Sequence, residues 1–259
     1  MKLFIICSFL LSAVLLSDAV CNRNTIKHNG EDVVVWFCVR SKDVVADVAR
    51  APKDVKVVVF AYSDIPVLKN DVMTPVANDL VVLSIVHCNM EDIEDDALKG
   101  MVNLKRLIVS HNKLKKVKAA WFKDAVNVKM IDIQDNMIEM VEDDVAEHWK
   151  NVEMLHMSGN KVKCMSVDFM NHMTKLNHVD MEMNPWHMRC FKEIMNWLKE
   201  KELIGEKGAK IIDSKMMVQT DVCVNEMKKD DKVDDVAVDK CVMEFVEKMM
   251  VDKVVDVVM

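Results

Sequence analysis

The chain has 259 residues, 51% of them hydrophobic and 30% charged, with a net charge of −7. That is enough chain for one large domain or two small ones, and too apolar for a mainly disordered polypeptide. The acidic balance disfavours a nucleic-acid binder, which carries a basic stripe, and 5 glycines leave few candidates for Gly-rich phosphate loops or a collagen-like repeat. The 23 methionines predict an adaptable core, because Met is flexible and fills irregular gaps.

At the N-terminus Lys2 precedes an apolar run from Leu3 to Leu16, and Ser17 and Ala19 are small residues placed for cleavage after Ala19. This layout predicts a secretory signal peptide over residues 1–19. The run of about 14 residues is shorter than the ~20 needed to cross a bilayer. Cleavage removes Lys2 and Asp18 and leaves the charge unchanged. No second run of spanning length follows, so the mature chain is expected to be secreted, extracellular and off the membrane. Of the 8 cysteines, all but Cys7 remain: Cys21, Cys38, Cys88, Cys164, Cys190, Cys223 and Cys241. In an oxidising compartment these can pair, and an odd number leaves at least one over. No Asn-x-Ser/Thr sequon is present, so N-glycosylation is not expected.

The middle of the chain repeats. Set in rows of 24 from Leu80, row positions 1, 4, 6 and 11 hold Leu80, Leu83, Ile85 and Met90, then Leu104, Leu107, Val109 and Leu114. Three further rows give Val128, Ile131, Ile133 and Ile138; Val152, Leu155, Met157 and Val162; and Leu176, Val179, Met181 and Trp186. At 51% apolar content, twenty apolar residues in a fixed register have a chance on the order of one in a million, so the period marks a solenoid. Position 9 reads Cys88, Asn112, Asn136, Asn160 and Asn184.

This pattern resembles the leucine-rich repeat family, L-x-x-L-x-L-x-x-N/C-x-L. An earlier repeat of 25 residues fits through Val55, Val58, Phe60, Ser63, Ile65 and Leu68, and Val45 with Val48 fits a degenerate turn before it. The resemblance covers roughly residues 21 to 203. It implies an α/β fold: a curved solenoid with a parallel sheet on its concave side. The spacing has a physical reason. Positions 4 and 6 of a short strand point inward by two-residue alternation. The position 9 Asn, both donor and acceptor, can bond backbone groups that the turn leaves unpaired, and Cys88 there can donate only weakly. Positions 11 and 14 return to the core. Position 19, usually Phe in this family, reads Leu98, Phe122, Ala146 and Met170, and the Ala predicts a gap unless neighbours fill it.

A solenoid exposes apolar ends and needs caps. Cys21 and Cys38 flank the strand-like run Val33 to Phe37, which resembles the disulfide-stapled N-terminal cap of extracellular members. Asn184-Pro185-Trp186, Cys190 and Trp197-Leu198 resemble the C-terminal cap. An amphipathic helix is expected over 189–203, with Gly205 as its stop. The resemblance implies that Cys190 pairs with Cys223 or Cys241. The family's Cys-x-Cys is here Met188-Arg189-Cys190, so an internal Cys223–Cys241 bond that leaves Cys190 free competes with it. Cys88 and Cys164 lie three repeats apart, roughly 14 Å, too far to bond. Cys88 reads as a buried small residue and Cys164 as a convex-side thiol.

From about 228 the composition shifts to Lys, Asp, Val and Met, with Val238, Cys241, Val242, Phe245 and Met249 at helical spacing. Two readings stand: a cap helix or frayed tail, or a helix that pairs with a partner chain. The spare C-terminal cysteine makes a disulfide-linked dimer one expectation. The expected organisation is a signal peptide at 1–19, an N-terminal cap at 20–54, five to six repeats at 55–183, a C-terminal cap at 184–227 and a helical tail at 228–259.

Outward strand positions stack in columns. Position 8 reads Tyr62, His87, His111, Asp135, Gly159 and Met183. Position 5 reads Val59, Ser84, Ile108, Asp132, His156 and Asp180, and position 3 reads Val57, Val82, Arg106, Met130, Met154 and His178. The candidate partner-binding residues are therefore Tyr62, His87, Arg106, His111, Met130, Asp132, Asp135, Met154, His156, His178 and Asp180. A merely solvated face is the alternative. The ladder Asp132, His156 and Asp180 could hold a metal ion or act as a base, but no nucleophile or oxyanion donor accompanies it, so a structural or electrostatic role is favoured. No metal, cofactor or catalytic residue is assigned. The function expected is a secreted protein-binding module of the kind found among short secreted arthropod leucine-rich repeat proteins, some of them in innate immunity. An extracellular matrix spacer is the alternative, and neither nucleic acid nor membrane is an expected partner.

Overall fold

In a computed structural model the protein is described over residues 20–203, 220, 222–229 and 232–244. The expected signal peptide, the stop at Gly205 and the tail positions Phe245 and Met249 lie outside the described residues. The chain divides into two compact units: residues up to 113 with 120–128, and residues 114–119 with 129 onward.

In the first unit Val20–His28 and Glu31–Val39 form an antiparallel hairpin. Asn29 and Gly30 make its turn at φ 51° and 87°, the left-handed geometry that two-residue hairpin turns need and that Asn-Gly supplies. The register sets Cys21 opposite Cys38, and the two are disulfide-bonded as the resemblance implied. Glu31–Val39 pairs in parallel with Val57–Ala61, which pairs with Val82–Val86, which pairs with Arg106–Ile108. Val57, Val82 and Arg106 are successive cross-strand partners, so the sequence period is the physical register. Val58, Phe60, Leu83, Ile85, Leu107 and Val109, at positions 4 and 6, are fully buried. Each contributes roughly 1.5–3 kcal/mol of transfer free energy.

The segment with Val45 and Val48, expected as a degenerate turn of the repeat, is instead a helix, Val44–Ala49. Asp43 caps it, accepting a bond from the Ala46 N–H at 3.0 Å. Val48 is buried and Val45 is exposed, the one-sided pattern of a short helix. Asp47 is buried as well and bonded by Ser41 and Arg50.

In the second unit the strands Met130–Asp132, Met154–His156 and His178–Asp180 run parallel and in register. A second pairing, Lys116–Val117 with Met140–Val141, forms on the return side of the repeats. Ala146, where a gap was expected, is itself buried, and Trp149, three residues on, is fully buried and packs edge-on to Phe169 with ring centroids 5.8 Å apart. The helix Met188–Glu200 buries Ile194, Trp197 and Leu198 of the apolar face expected from the sequence, with Cys190 buried beside them, whereas Phe191, also expected on that face, is half-buried.

The Asn column forms an internal ladder. Asn112 Oδ1 accepts from the N–H groups of Cys88 and Met90 at 2.9 and 3.1 Å, and its Nδ2 donates to the carbonyls of Ile85, Val109 and Ser110. Asn160 and Asn184 repeat this arrangement in the second unit. Cys88 stands in for Asn weakly, its thiol donating to the carbonyls of Val86 and Phe60 at sulfur distances of 3.3 and 3.5 Å.

The cysteine reading needs correction. Cys190 bonds Cys164, not Cys223 or Cys241, so Cys164 is no free thiol. The pair is 26 residues apart, one repeat plus two, and stacking brings its Cα atoms to 5.5 Å. Cys223 bonds Cys241. Cys88 is the free cysteine among the described residues, and it is buried. The spare C-terminal thiol that made an interchain link an expectation is therefore gone.

The tail docks on its own chain. Residues 235–244 are helical, and Val238 and Val242 are buried with Cys223 among Met188, Val224, Met227 and Val233. Arg189 forks onto Asp235 at 2.9 and 3.1 Å, and Asp239 accepts from the Met188 N–H at 2.7 Å. The apolar stripe expected to meet either a cap or a partner chain packs, over its described part, on Met188, Cys223, Val224, Met227 and Val233 of the same chain.

Candidate interaction surface

The outward face of each sheet follows from the same alternation that fills the core. In the first unit Tyr62 and His87 directly follow their strands, His111 comes three residues after Ile108, and all three sit at positive φ, 49°, 55° and 54°. His belongs to the non-glycine residues that tolerate this region better than most. Identical backbone geometry aims the three rings the same way. Tyr62 stacks on His87 at a centroid distance of 4.8 Å and 3° between planes, and His87 stacks on His111 at 4.3 Å and 13°. Tyr62 is 63% exposed, and the column edge is open to solvent. Arg106 is exposed on the neighbouring strand. The sequence columns placed these residues, but the continuous ring stack was not foreseen.

In the second unit His156 lies directly across from Asp180 and from Asp132 by strand register. His156 Nδ1 is 2.6 Å from Asp180 Oδ2, and His178 Nε2 is 3.4 Å from the same oxygen. The His156 and His178 rings lie 5.0 Å apart and are tilted by 51°. The ladder read from sequence is thus joined by His178, two residues before Asp180 and on the same side of the strand. Asp132 is buried, with its Oδ1 accepting from the Gln134 N–H at 3.2 Å. Met130 and Met154 are half-buried beside the polar row. Asp135 is exposed and at φ 52°, and the next residue of its column is Gly159 at φ 66°. A Cβ on Gly159 would lie 2.3 Å from Asp135 Oδ1, so the glycine makes room for that carboxylate.

Two recesses of about 220 and 210 Å³ lie elsewhere, one lined by Asp95, Leu98 and Trp121, the other by Met140, Cys164 and Phe169. Both are smaller than the ~300 Å³ at which small-molecule pockets begin. None of the candidate partner-binding residues lines them. No helix among the described residues is long and apolar enough to cross a membrane.

The family model described as leucine rich repeat matches residues 78–138. Among solved structures, the chain is similar to that of the TLR13–ssRNA13 complex, at 20% identity over 62% of this chain and 23% of that one, with a TM-score of 0.54. It is similar to the APL1 leucine-rich repeat domain at 16% identity over 59% of this chain and 42% of that one, with a TM-score of 0.52. For the LRIM1/APL1C complex the figures are 15% identity, 59% and 29% coverage and a TM-score of 0.50. The chain thus spans less than half the length of each. No curated protein matches the sequence. The fold is an α/β leucine-rich repeat solenoid with disulfides toward both ends of its described part. The family match over residues 78–138 and the solved structures thus agree on the repeat fold.

Proposed function

We propose that the chain is a secreted binding module that recognises another protein through the outward face of its repeat strands. The observation that carries this reading is the exposed stack of Tyr62, His87 and His111. Rigid aromatic side chains supply interface area at low entropic cost, and Tyr and Arg are enriched among binding hot spots. Arg106 in the first unit, and Met130, Asp132, Asp135, Met154, His156, His178 and Asp180 in the second, complete the proposed surface. The shallow recesses support a macromolecular partner over a small molecule, and no catalytic role is assigned. The three disulfides support an oxidising, extracellular location. The net charge of −7 supports a protein partner over a nucleic acid. In this reading residues 20–54 and 184–227 cap the repeats, and 228–259 is a tail held by the second cap. A place in innate immunity rests on the resemblance to short secreted arthropod proteins alone.

The test is capture from extracellular fluid of the source organism with the purified protein and with Tyr62→Ser/His111→Ser. A partner recovered by the parent and lost with the double variant supports the proposal. Equal recovery by both, or recovery of the protein only in insoluble matrix, opposes it.

A further inference from the structure

We propose that His156, His178 and Asp180 form a binding site for a zinc-class divalent metal ion. The strand register creates the site. His156 and Asp180 are direct cross-strand partners on adjacent strands, and His178 lies two residues before Asp180 on the same face. One nitrogen from each imidazole and one carboxylate oxygen lie within 4.8 Å of one another. The rings are tilted by 51° and both reach the same Asp180 oxygen, so their nitrogens converge. The stacked His87 and His111 rings, 13° from parallel, show the opposite habit.

The donor set selects the ion. Two imidazoles and one carboxylate suit zinc, which takes nitrogen and oxygen ligands at about 2.0–2.2 Å in a tetrahedron. Calcium and magnesium prefer all-oxygen shells. Bond lengths near 2.05 Å make a tetrahedral edge of about 3.3 Å. The His178–Asp180 edge, at 3.4 Å, already has that length. The His156–Asp180 hydrogen bond, at 2.6 Å, opens to it by a small rotation of the carboxylate as the ion replaces the shared proton. Asp132, across from His156 on the other side, adds a carboxylate to the row. Three protein ligands leave a fourth position open, and the side chains of His178 and Asp180 are 52% and 46% exposed, so water reaches it.

Other clusters do not compete. Cys21, Cys38 and Asp47 lie equally close, but both sulfurs are spent in a disulfide. The pairs His187–Asp239 and His172–Glu147 belong to no such trio among the described residues. The inference is independent of the protein-partner reading, because the ion alone is the probe.

The experiment is titration of the full chain with zinc chloride by calorimetry, with histidine ring signals followed by NMR. The expected result is one ion whose binding moves the His156 and His178 signals together. His178→Gln and Asp180→Asn should each weaken it on the order of ten-fold or more, and His87→Gln should leave it unchanged. Because the His178 side chain is half exposed, its loss does not threaten the fold. Zinc affinity in His178→Gln and Asp180→Asn equal to that of the parent would overturn the proposal, as would equal weakening by His87→Gln.

Discussion

Replacing Asn160 with Leu removes one rung of the internal ladder with little change in shape. Asn160 Oδ1 accepts from the N–H of Ile138 at 3.0 Å, and Ile138 is fully buried. Its Nδ2 donates to the carbonyls of Ile133 and Met157 at 2.9 and 3.1 Å. Those carbonyls are shared. Ile133 O also accepts from Asn136 Nδ2 at 3.0 Å, and Met157 O from Asn184 Nδ2 at 3.0 Å. The substitution therefore strips one of two partners from each carbonyl, and the Ile138 N–H loses the acceptor Asn160 gave it. A buried donor left unsatisfied costs about 1–3 kcal/mol, and a carbonyl that keeps one partner adds little. The expected loss is about 1–3 kcal/mol in urea unfolding with the slope unchanged. Asn160→Cys should recover only a small part of that loss, because a thiol can donate to the carbonyls as Cys88 does but gives the Ile138 N–H no comparable acceptor. A Leu variant within about 0.5 kcal/mol of the parent, or a Cys variant weaker than the Leu variant, refutes the reasoning.

Other perturbations follow from the same geometry. Gly159→Ala combines a φ of 66° with a Cβ placed 2.3 Å from Asp135 Oδ1, so it should lose about 1 kcal/mol or more, with Asp135→Ala recovering part of the loss in a double-mutant cycle. Burial pushes the Cys88 thiol up, so the folded state holds its proton where the unfolded chain releases it. The thiol's contribution is then full below the unfolded value of ~8.5 and lost as pH rises, so the parent's melting temperature should fall more between pH 7 and 9.5 than that of Cys88→Ala. Non-reducing electrophoresis of protein starting at Val20 should show no reducible dimer, since six of its seven cysteines pair within the chain and Cys88 is buried. Arg189→Ala removes a forked ion pair to Asp235 and should speed proteolytic cleavage around residues 235–244 while leaving the repeats intact.

The repeat core was legible because its signal is redundant. Each strand restates the same burial rule, and errors at single positions such as Ala146 do not disturb the register. The Asn ladder was legible for the same reason. The Cys164–Cys190 bond was legible in strand spacing alone. Strand spacing ruled out Cys88–Cys164 at three repeats, and the same spacing at one repeat brings Cys164 to Cys190. The family's cysteine pattern drew Cys190 toward the tail instead. The helix at Val44–Ala49 was missed because two apolar residues three apart fit a degenerate repeat as well as a helical turn. The Tyr62–His87–His111 stack was only half legible. The column gave the neighbours, but shared positive φ aims the rings, and even His, which tolerates that region better than most, only weakly signals it in sequence.

A fixed period turns a linear sequence into a grid, and this explains why surface chemistry here comes in rows. Residues 24 apart within a unit become neighbours at strand spacing, ~4.8 Å. His156 meets Asp180, Lys129 meets Glu153 at 2.7 Å, and Lys175 meets Asn151 at 2.7 Å, all at that offset. For these three pairs the partner is the residue one period away rather than a chain neighbour. Exposed pairs such as Lys129–Glu153 add little stability, at most about 1 kcal/mol each, so such rows can change without harming the core. The inward rows lack that freedom, because each change there leaves a cavity or an unbonded backbone group. Recognition chemistry can thus be exchanged one row at a time on a scaffold whose inner rows stay fixed. The ring stack in the first unit, at position 8, and the imidazole–carboxylate row in the second, at positions 5 and 3, are two different chemistries written in different outward columns of the same repeat.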